Sequence, residues 1–397
     1  MSLKPEQLPA IQQALQQQEL DGWFLSCFQH NDPVSLDLLG LADKDLVSRR
    51  CYYLIPAQGE PRRLCHGLEP AMLDQMPGSI DFYTTWRQHE QALTDLLSGM
   101  KRIAAHYSPE NQIPTISRLD AGTAEFLTKR GIELVSAADL AQQFVAVWTV
   151  EQLESHRRAC THLHEIVLLA FDQISAALRG DQAIDEYTVQ QFILNQFANR
   201  GLMNEADPIV GVNQHAADPH YQPGPDTSWP IKPADFVLID LWAKETDSGS
   251  IYGDITWCGV AAAAPTDRHQ EIFTIVRDAR DAGAQLVQNR YPQTPVAGYE
   301  VDDATRNVIN DAGYGEYFIH RTGHSIGVTD HGPGANIDNF ETHDTRLLLP
   351  MTGFSIEPGI YLPEEFGVRS EINIALTPDG AEITGGEPQR ELIRLLD

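Results

Sequence analysis

"DFVLIDLWAKETDSGSIYGDITWCGVA", residues 235–261, decides how the chain is read. Two apolar runs each carry one acid, Asp240 closing "FVLID" and Asp254 inside "GDITW". Val, Ile, Trp and Tyr favour strands, and the polar "KETDSGS" between the runs is turn chemistry, so a β-hairpin is predicted. Such a hairpin returns Asp254 beside Asp240. A carboxylate in apolar company needs a partner or a metal ion. Taken alone, two strand-end aspartates are also an ordinary structural feature.

Working outward, Thr149 and Gln152 have capping-box spacing. Leu163, Val167, Ala170, Phe171, Ile174 and Leu178 continue a helical stripe to a C-cap at Gly180. A linker near 145–149 therefore divides the chain into an N-terminal domain, residues 1–148, and a C-terminal domain, residues 149–397. The second domain runs through one plan twice. Helices near 150–179 and 186–200 precede a β-rich stretch from 208 to 263; helices near 267–289 and 299–312 precede another from 316 to 376. No residue-level repeat accompanies it. In the first domain "LPAIQQALQQQ" and "HEQALTDLLSGM" read as helices, and "GWFLSC", "RCYYLIP" and "KRIAAHY" as strands. That alternation predicts three layers around a mostly parallel sheet, with no catalytic constellation.

In the second β-rich stretch, "IHRTGHSIGVTDHGPG" (319–334) holds His320, His324 and His331. A helix would gather all three on one face, but its glycines would each cost about 1 kcal/mol there. A strand followed by a glycine-rich turn fits better, with His320 and His324 on one face and His331 on the other. "TGFSIEPGIYLPEEFGVRSEINIAL" (352–376) adds Glu357 and Glu371, again acids among β-formers. Each alone is an ordinary strand glutamate. Together, Asp240, Asp254, His324, Glu357 and Glu371 form an oxygen-rich set with one imidazole. Such a set suits two divalent ions about 3.5–4 Å apart, with manganese, cobalt, iron or zinc favoured over soft-ligand metals.

Composition bounds the rest. The net charge of −28 over 397 residues argues against nucleic acid and anionic membrane as partners. No apolar run is long enough for a membrane span, and the polar N-terminus is not a signal peptide. Five scattered cysteines without a CxxC pair read as reduced, packed thiols of a cytoplasmic protein.

The ordered motifs "VLID", "YGDIT", "TGHSIG", "SIEPGIY" and "VRSE" resemble the methionine aminopeptidase/prolidase/creatinase family, over roughly residues 149–380. The resemblance implies an α+β chain. Its C-terminal catalytic domain would have the pita-bread fold, duplicated helices over a curved antiparallel sheet, preceded by a creatinase-type α/β domain. It implies that Asp240 chelates one ion, that His324 and Glu357 chelate the other, and that Asp254 and Glu371 bridge both. A bridging hydroxide would attack the peptide bond before proline, as in an Xaa-Pro dipeptidase or aminopeptidase, with manganese the leading metal and cobalt, zinc or iron as alternatives. His331 would steady the tetrahedral intermediate, His220 in "DPHYQPG" would lie nearer the substrate, and Glu357 would relay protons. Arg369 would orient acidic ligands or substrate, a surface salt bridge being the other reading. His320 would be a packed, hydrogen-bonded strand histidine, and a homodimer is the family expectation.

Two positions depart from the pattern: Trp242 stands where glycine is common, and Trp257 where arginine usually follows threonine. They reshape the pocket or simply pack. The rival functions are a small-molecule lyase or hydrolase of the same fold, and a catalytically silent protein-binding module; the five intact ligands argue against silence.

Overall fold

The computed structural model describes residues 3–42, 46–247 and 249–397, and divides into two units, Met1–Ala146 and Val147–Asp397. Ser248, in the turn of the expected hairpin, lies outside the described residues. In chain order the first unit contains α1 (Leu8–Gln17), β1 (Gly22–Cys27), α2 (Pro33–Leu38), β2 (Cys51–Pro56), β3 (Arg62–His66), β4 (Ser79–Tyr83), α3 (Trp86–Leu96), β5 (Arg102–Ala105), α4 (Ala121–Thr128), β6 (Glu133–Ser136) and α5 (Ala138–Ala141). The strands form one sheet in the order β4-β3-β2-β1-β5-β6. Alternation places Trp23, Leu25, Tyr53 and Ile55 on one face with α1, α2 and α5. Phe24, Tyr52 and Leu54 lie on the other with α3 and α4.

Three layers are therefore present around a mostly parallel sheet, with the β1–β5, β5–β6 and β3–β4 ladders parallel and one strand reversed. Strand β2 runs antiparallel to both neighbours, β1 and β3. Only residues 57–61 join β2 to β3, and a parallel return needs a crossover of a dozen residues or more.

The second unit contains α6 (Val150–Arg179), α7 (Glu186–Asn199), β7 (Leu202–Met203), β8 (Ile209–Val212), β9 (Phe236–Glu245), β10 (Gly253–Val260), α8 (Asp267–Arg290) and α9 (Gly298–Asp311). Then follow β11 (Ser325–Ile326), β12 (Thr352–Ile356), β13 (Gly359–Tyr361), β14 (Gly367–Arg369), β15 (Ile372–Thr377), β16 (Gly380–Thr384) and β17 (Ile393–Arg394). The Thr149–Gln152 capping box opens α6. Gly180 caps its end with an ordinary negative φ, and the left-handed residue is the next one, Asp181. Hydrogen bonding groups the strands as β17-β10-β9-β7 with β8 on β9, as β11-β12-β15-β16, and as β13-β14.

The β9–β10 ladder fixes the site. Asp240 lies opposite Thr256 and Trp242 opposite Asp254, so these four side chains share one face. On the reverse face Ile239, Leu241, Ile255 and Trp257 are buried with Leu163, Val167 and Phe171 of α6. Gly253 allows that closeness: a Cβ there would sit 2.8 Å from Cys160 Sγ.

Asn373 of β15 joins the two main sheets. Its side chain accepts from Asp254 N at 2.8 Å and donates to Asp254 O at 2.7 Å, imitating a ladder pair. From α8, fully buried Arg280 donates to Ser370 Oγ at 2.7 Å, pinning the link between Arg369 and Glu371.

Candidate metal centre

Asp240, Asp254, His324, Glu357, Glu371, Arg369, His220 and His331 all line one cavity of about 250 Å³. The five expected ligands, Arg369 and the two expected catalytic histidines thus line the same space, whereas His320 and Trp257 do not. Asp254, His324 and Glu371 are buried, and each offers a ligand atom within 4.8 Å of the others. His324 Nε2 stands 3.4 Å from Asp254 Oδ2 and 3.5 Å from Glu357 Oε1. His324 lies beside the strand rather than in it, since β11 is only two residues long. Ser355 donates from Oγ to Glu357 at 3.1 Å and receives the His324 N–H at 3.0 Å. The neighbouring Gly323 carries no turn; a Cβ there would lie 2.0 Å from the Ser355 carbonyl, so glycine serves close backbone approach.

A chain of hydrogen bonds holds the acids. The Arg369 guanidinium, 5% exposed, donates from Nη2 to Asp240 Oδ2, from Nε to Thr256 Oγ1 at 3.0 Å and from Nη1 to the Tyr361 hydroxyl at 3.2 Å. The surface salt bridge is thereby corrected: burial forces the guanidinium to spend its donors inside. Thr256 Oγ1 lies 2.9 Å from Asp240 Oδ1 and 2.8 Å from Glu371 Oε2. Tyr361 reaches His320 Nε2 at 2.8 Å, while His320 Nδ1 donates to the Arg321 carbonyl at 2.6 Å. Because a carbonyl only accepts, Nδ1 carries the proton and Nε2 accepts from Tyr361. His320 lies in a bend rather than a strand, at the far end of the chain that terminates on Asp240.

Burial raises the Asp254 carboxyl well above the ordinary range, and the charges of Asp330, Asp240 and Glu357 raise it further. Burial does the same to Glu371, reinforced by Asp254, Glu357 and Asp240. Burial also opposes ionisation of Glu357, but His324, His320 and Arg369 outweigh it and hold its carboxyl low. Two buried oxygens, Asp254 Oδ1 and Glu371 Oε1, have no hydrogen-bond partner among the described residues. Clustered acids that repel one another and keep unpaired oxygens are what a divalent cation requires. The donor set, carboxylates with one imidazole, fits manganese, iron, cobalt or zinc.

His331 is exposed, and its ring centroid lies 4.1 Å from that of His324. The charge of that neighbour, then partial burial and Arg321, push its imidazole down to about 3. Arg321 approaches Nδ1 at 3.4 Å; being only a donor, it leaves the proton on Nε2. His220 is also exposed on the cavity wall.

Thr256, Tyr361, Asn373 and Asp330 escaped the sequence reading. Asp330 groups with His324 and His331 within 4.8 Å, and burial pushes its carboxyl up to about 6. Its signal was the acid in "TDHG", beside a histidine already chosen. Thr256 was legible as the residue sharing the face of Asp254. The two tryptophans separate: Trp242 lines the cavity, whereas Trp257 packs edge-on to His164 of α6, ring centroids 5.1 Å apart.

Two sheets, each backed by a helix pair and each contributing acids to the space between them, define the pita-bread class of metal-dependent hydrolases. The match to the metallopeptidase family M24 model spans residues 154–378, and the chain belongs to that family. It is 33% identical over 351 residues to an uncharacterised peptidase of Staphylococcus aureus, covering 84% of this chain and 91% of that one. It is 36% identical over 207 residues to an Xaa-Pro dipeptidase of Lactobacillus delbrueckii, covering 51% of this chain and about half, 52%, of the relative. In structure it is similar to dipeptidase PepE from Mycobacterium ulcerans, with a TM-score of 0.73 at 24% identity, covering 98% of this chain and 97% of the other. That likeness shows the fold. Among the described residues, no helix is long and apolar enough to cross a membrane.

Proposed function

We propose that the second unit is the catalytic domain of a dinuclear-metal hydrolase that cleaves Xaa-Pro peptide bonds, with residues 1–148 as a creatinase-like companion domain. One observation carries the reading: two orphaned, buried carboxylate oxygens, Asp254 Oδ1 and Glu371 Oε1, on residues that group with His324 in the cavity lining. Five carboxylates line the cavity, Asp240, Asp254, Asp330, Glu357 and Glu371, against one guanidinium, Arg369; ionised as metal ligands would be, they would carry more negative charge than one divalent ion neutralises. Asp240 would hold one ion, His324 and Glu357 the other, and Asp254 and Glu371 both. Manganese leads, with cobalt, zinc or iron as alternatives. When bound, the ions would supply a hydroxide at neutral pH and polarise the carbonyl.

The chain's own groups do the rest. Arg369 and Thr256 fix the acids, so that little reorganisation is left for the reaction. His331, neutral and protonated at Nε2, donates a hydrogen bond to the oxyanion that forms on the carbonyl oxygen. Glu357, with Oε1 held by Ser355, takes the proton released by water and passes it to the leaving nitrogen. Proline leaves as a secondary amine only once its nitrogen is protonated. His220 lines the substrate's path. The activity of the Lactobacillus relative agrees with this choice of substrate, and a homodimer in the cytoplasm completes the proposal.

The test is direct. Purified protein reconstituted with Mn²⁺ is incubated with Ala-Pro, Ala-Pro-Ala and Met-Ala-Ser, and products are read by amino-acid analysis. Release of alanine from a proline peptide, abolished by chelation and by Glu357→Ala, is expected. Cleavage of none of the three overturns the reading in favour of a lyase or binding module.

A further inference from the structure

We propose that Trp242 is the specificity-determining wall of this site and limits its substrates to dipeptides, an inference that rests on the Xaa-Pro reading above. The ladder sets Trp242 directly opposite Asp254. Asp240 and Lys244 flank it on the same face of β9. Directly opposed residues have Cβ atoms about 4.5–5.5 Å apart, so the indole starts within one side chain's length of the acids.

The indole is fixed rather than mobile. It packs at once against the apolar group containing Ile209 and against that containing Tyr252 and Ile326. Lys244 donates from Nζ to the Val328 carbonyl at 2.6 Å, tying the segment that carries His331 over the same row of side chains. Trp242 therefore has no free side to swing toward, and its remaining half-exposed surface faces the cavity. Trp257, on the opposite face, supplies the contrast: an equal bulk that never meets the cavity.

Size decides the consequence. At about 250 Å³ the cavity falls below the roughly 300–1,000 Å³ usual for small-molecule sites. Replacing the indole by a small side chain frees space on the order of one amino-acid residue. A third residue of a substrate competes for that space.

The experiment compares kcat/KM for Ala-Pro and Ala-Pro-Ala in the manganese-loaded wild type, Trp242→Ala and Trp242→Leu, with metal content measured alongside. Wild type is expected to favour the dipeptide by about tenfold or more, within the range that pocket shape delivers. Trp242→Ala is expected to lower that preference at least about tenfold, through KM for the tripeptide, and Trp242→Leu to fall between. All three proteins should hold the same metal. Equal wild-type rates on the two peptides, or an unaltered ratio in both variants, overturns the inference alone. Lost metal in both variants overturns it too, since the indole then supports the ligands instead of shaping the cavity. No cleavage of either peptide by wild type removes the Xaa-Pro reading and the inference with it.

Discussion

Replacing Thr256 by valine keeps shape, branching and strand propensity while deleting one hydroxyl. That hydroxyl is fully buried and meets three charged groups, Asp240 Oδ1 at 2.9 Å, Glu371 Oε2 at 2.8 Å and Arg369 Nε at 3.0 Å. With a single proton it donates to one carboxylate at a time while accepting from the guanidinium, so valine removes two charge-assisted bonds. Each contributes about 1.5–3 kcal/mol, which at the low end totals about 3 kcal/mol in the metal-free protein. For a unit of this size that corresponds to a melting temperature lower by roughly 6–12 °C. The freed acids also lose their aim. Loss of a supporting group of this kind costs about 10–100-fold in metal affinity. Calorimetric titration of chelated, dialysed protein with Mn²⁺ measures this directly. Thr256→Ser, which keeps the hydroxyl, should bind far more like wild type than valine does. If the valine variant binds manganese as tightly as wild type, Thr256 does not organise the acids and the account of the site is wrong.

The other outcomes are briefer. Glu371 has a folded pKa raised by burial and neighbouring charges, so its contribution to metal-free stability is full below about pH 4.3 and is lost as pH rises through the folded value. Metal-free Glu371→Gln should therefore gain urea resistance over wild type between pH 4 and pH 8; a difference constant with pH refutes the repulsion. His331→Ala should lower kcat about 100- to 1,000-fold with metal content unchanged by mass spectrometry, and a fall in bound metal would instead make His331 a ligand. Trp257→Phe, buried against α6, should cost about 1 kcal/mol or more in denaturant unfolding yet leave the Ala-Pro to Ala-Pro-Ala ratio alone, an altered ratio contradicting its placement.

Long-period signals were the most legible in this sequence. The stripe from Leu163 to Ile174 is buried as read, because a thirty-residue helix repeats its pattern many times. Short elements gave less: His320 and His324 looked like strand residues, but the local strand spans only Ser325–Ile326. Their positions come from distant contacts, the Ser355 side chain and the Tyr361 hydroxyl. In the first unit helices α1 and α3 and strands β1, β2 and β5 were visible, whereas strand direction depends on pairing partners far apart in sequence. The short link over residues 57–61 was the one local clue to it.

The same distinction explains which site residues were found. Acids among apolar β-formers are conspicuous because their burial is costly, yet each alone reads as an ordinary strand acid, and only Asp240, Asp254, Glu357 and Glu371 taken together with His324 point to a metal site. Thr256, Tyr361 and Asn373 are unremarkable residue types, and only register gives them meaning. Thr256 matters because β9 brings Asp240 opposite it, and Asn373 because it pairs with the backbone of Asp254 from another sheet. The tryptophans follow from the period of two once the hairpin is accepted. Trp257 lies an odd step from Asp254 and must turn to α6; Trp242 lies an even step from Asp240 and must turn to the cavity. A one-residue slip of β10 against β9 would put Trp257 on the face of Asp240 and turn Asp254 toward α6, leaving Trp242 where it is. The alternation that places the acids therefore also determines which of the two bulky side chains faces the substrate.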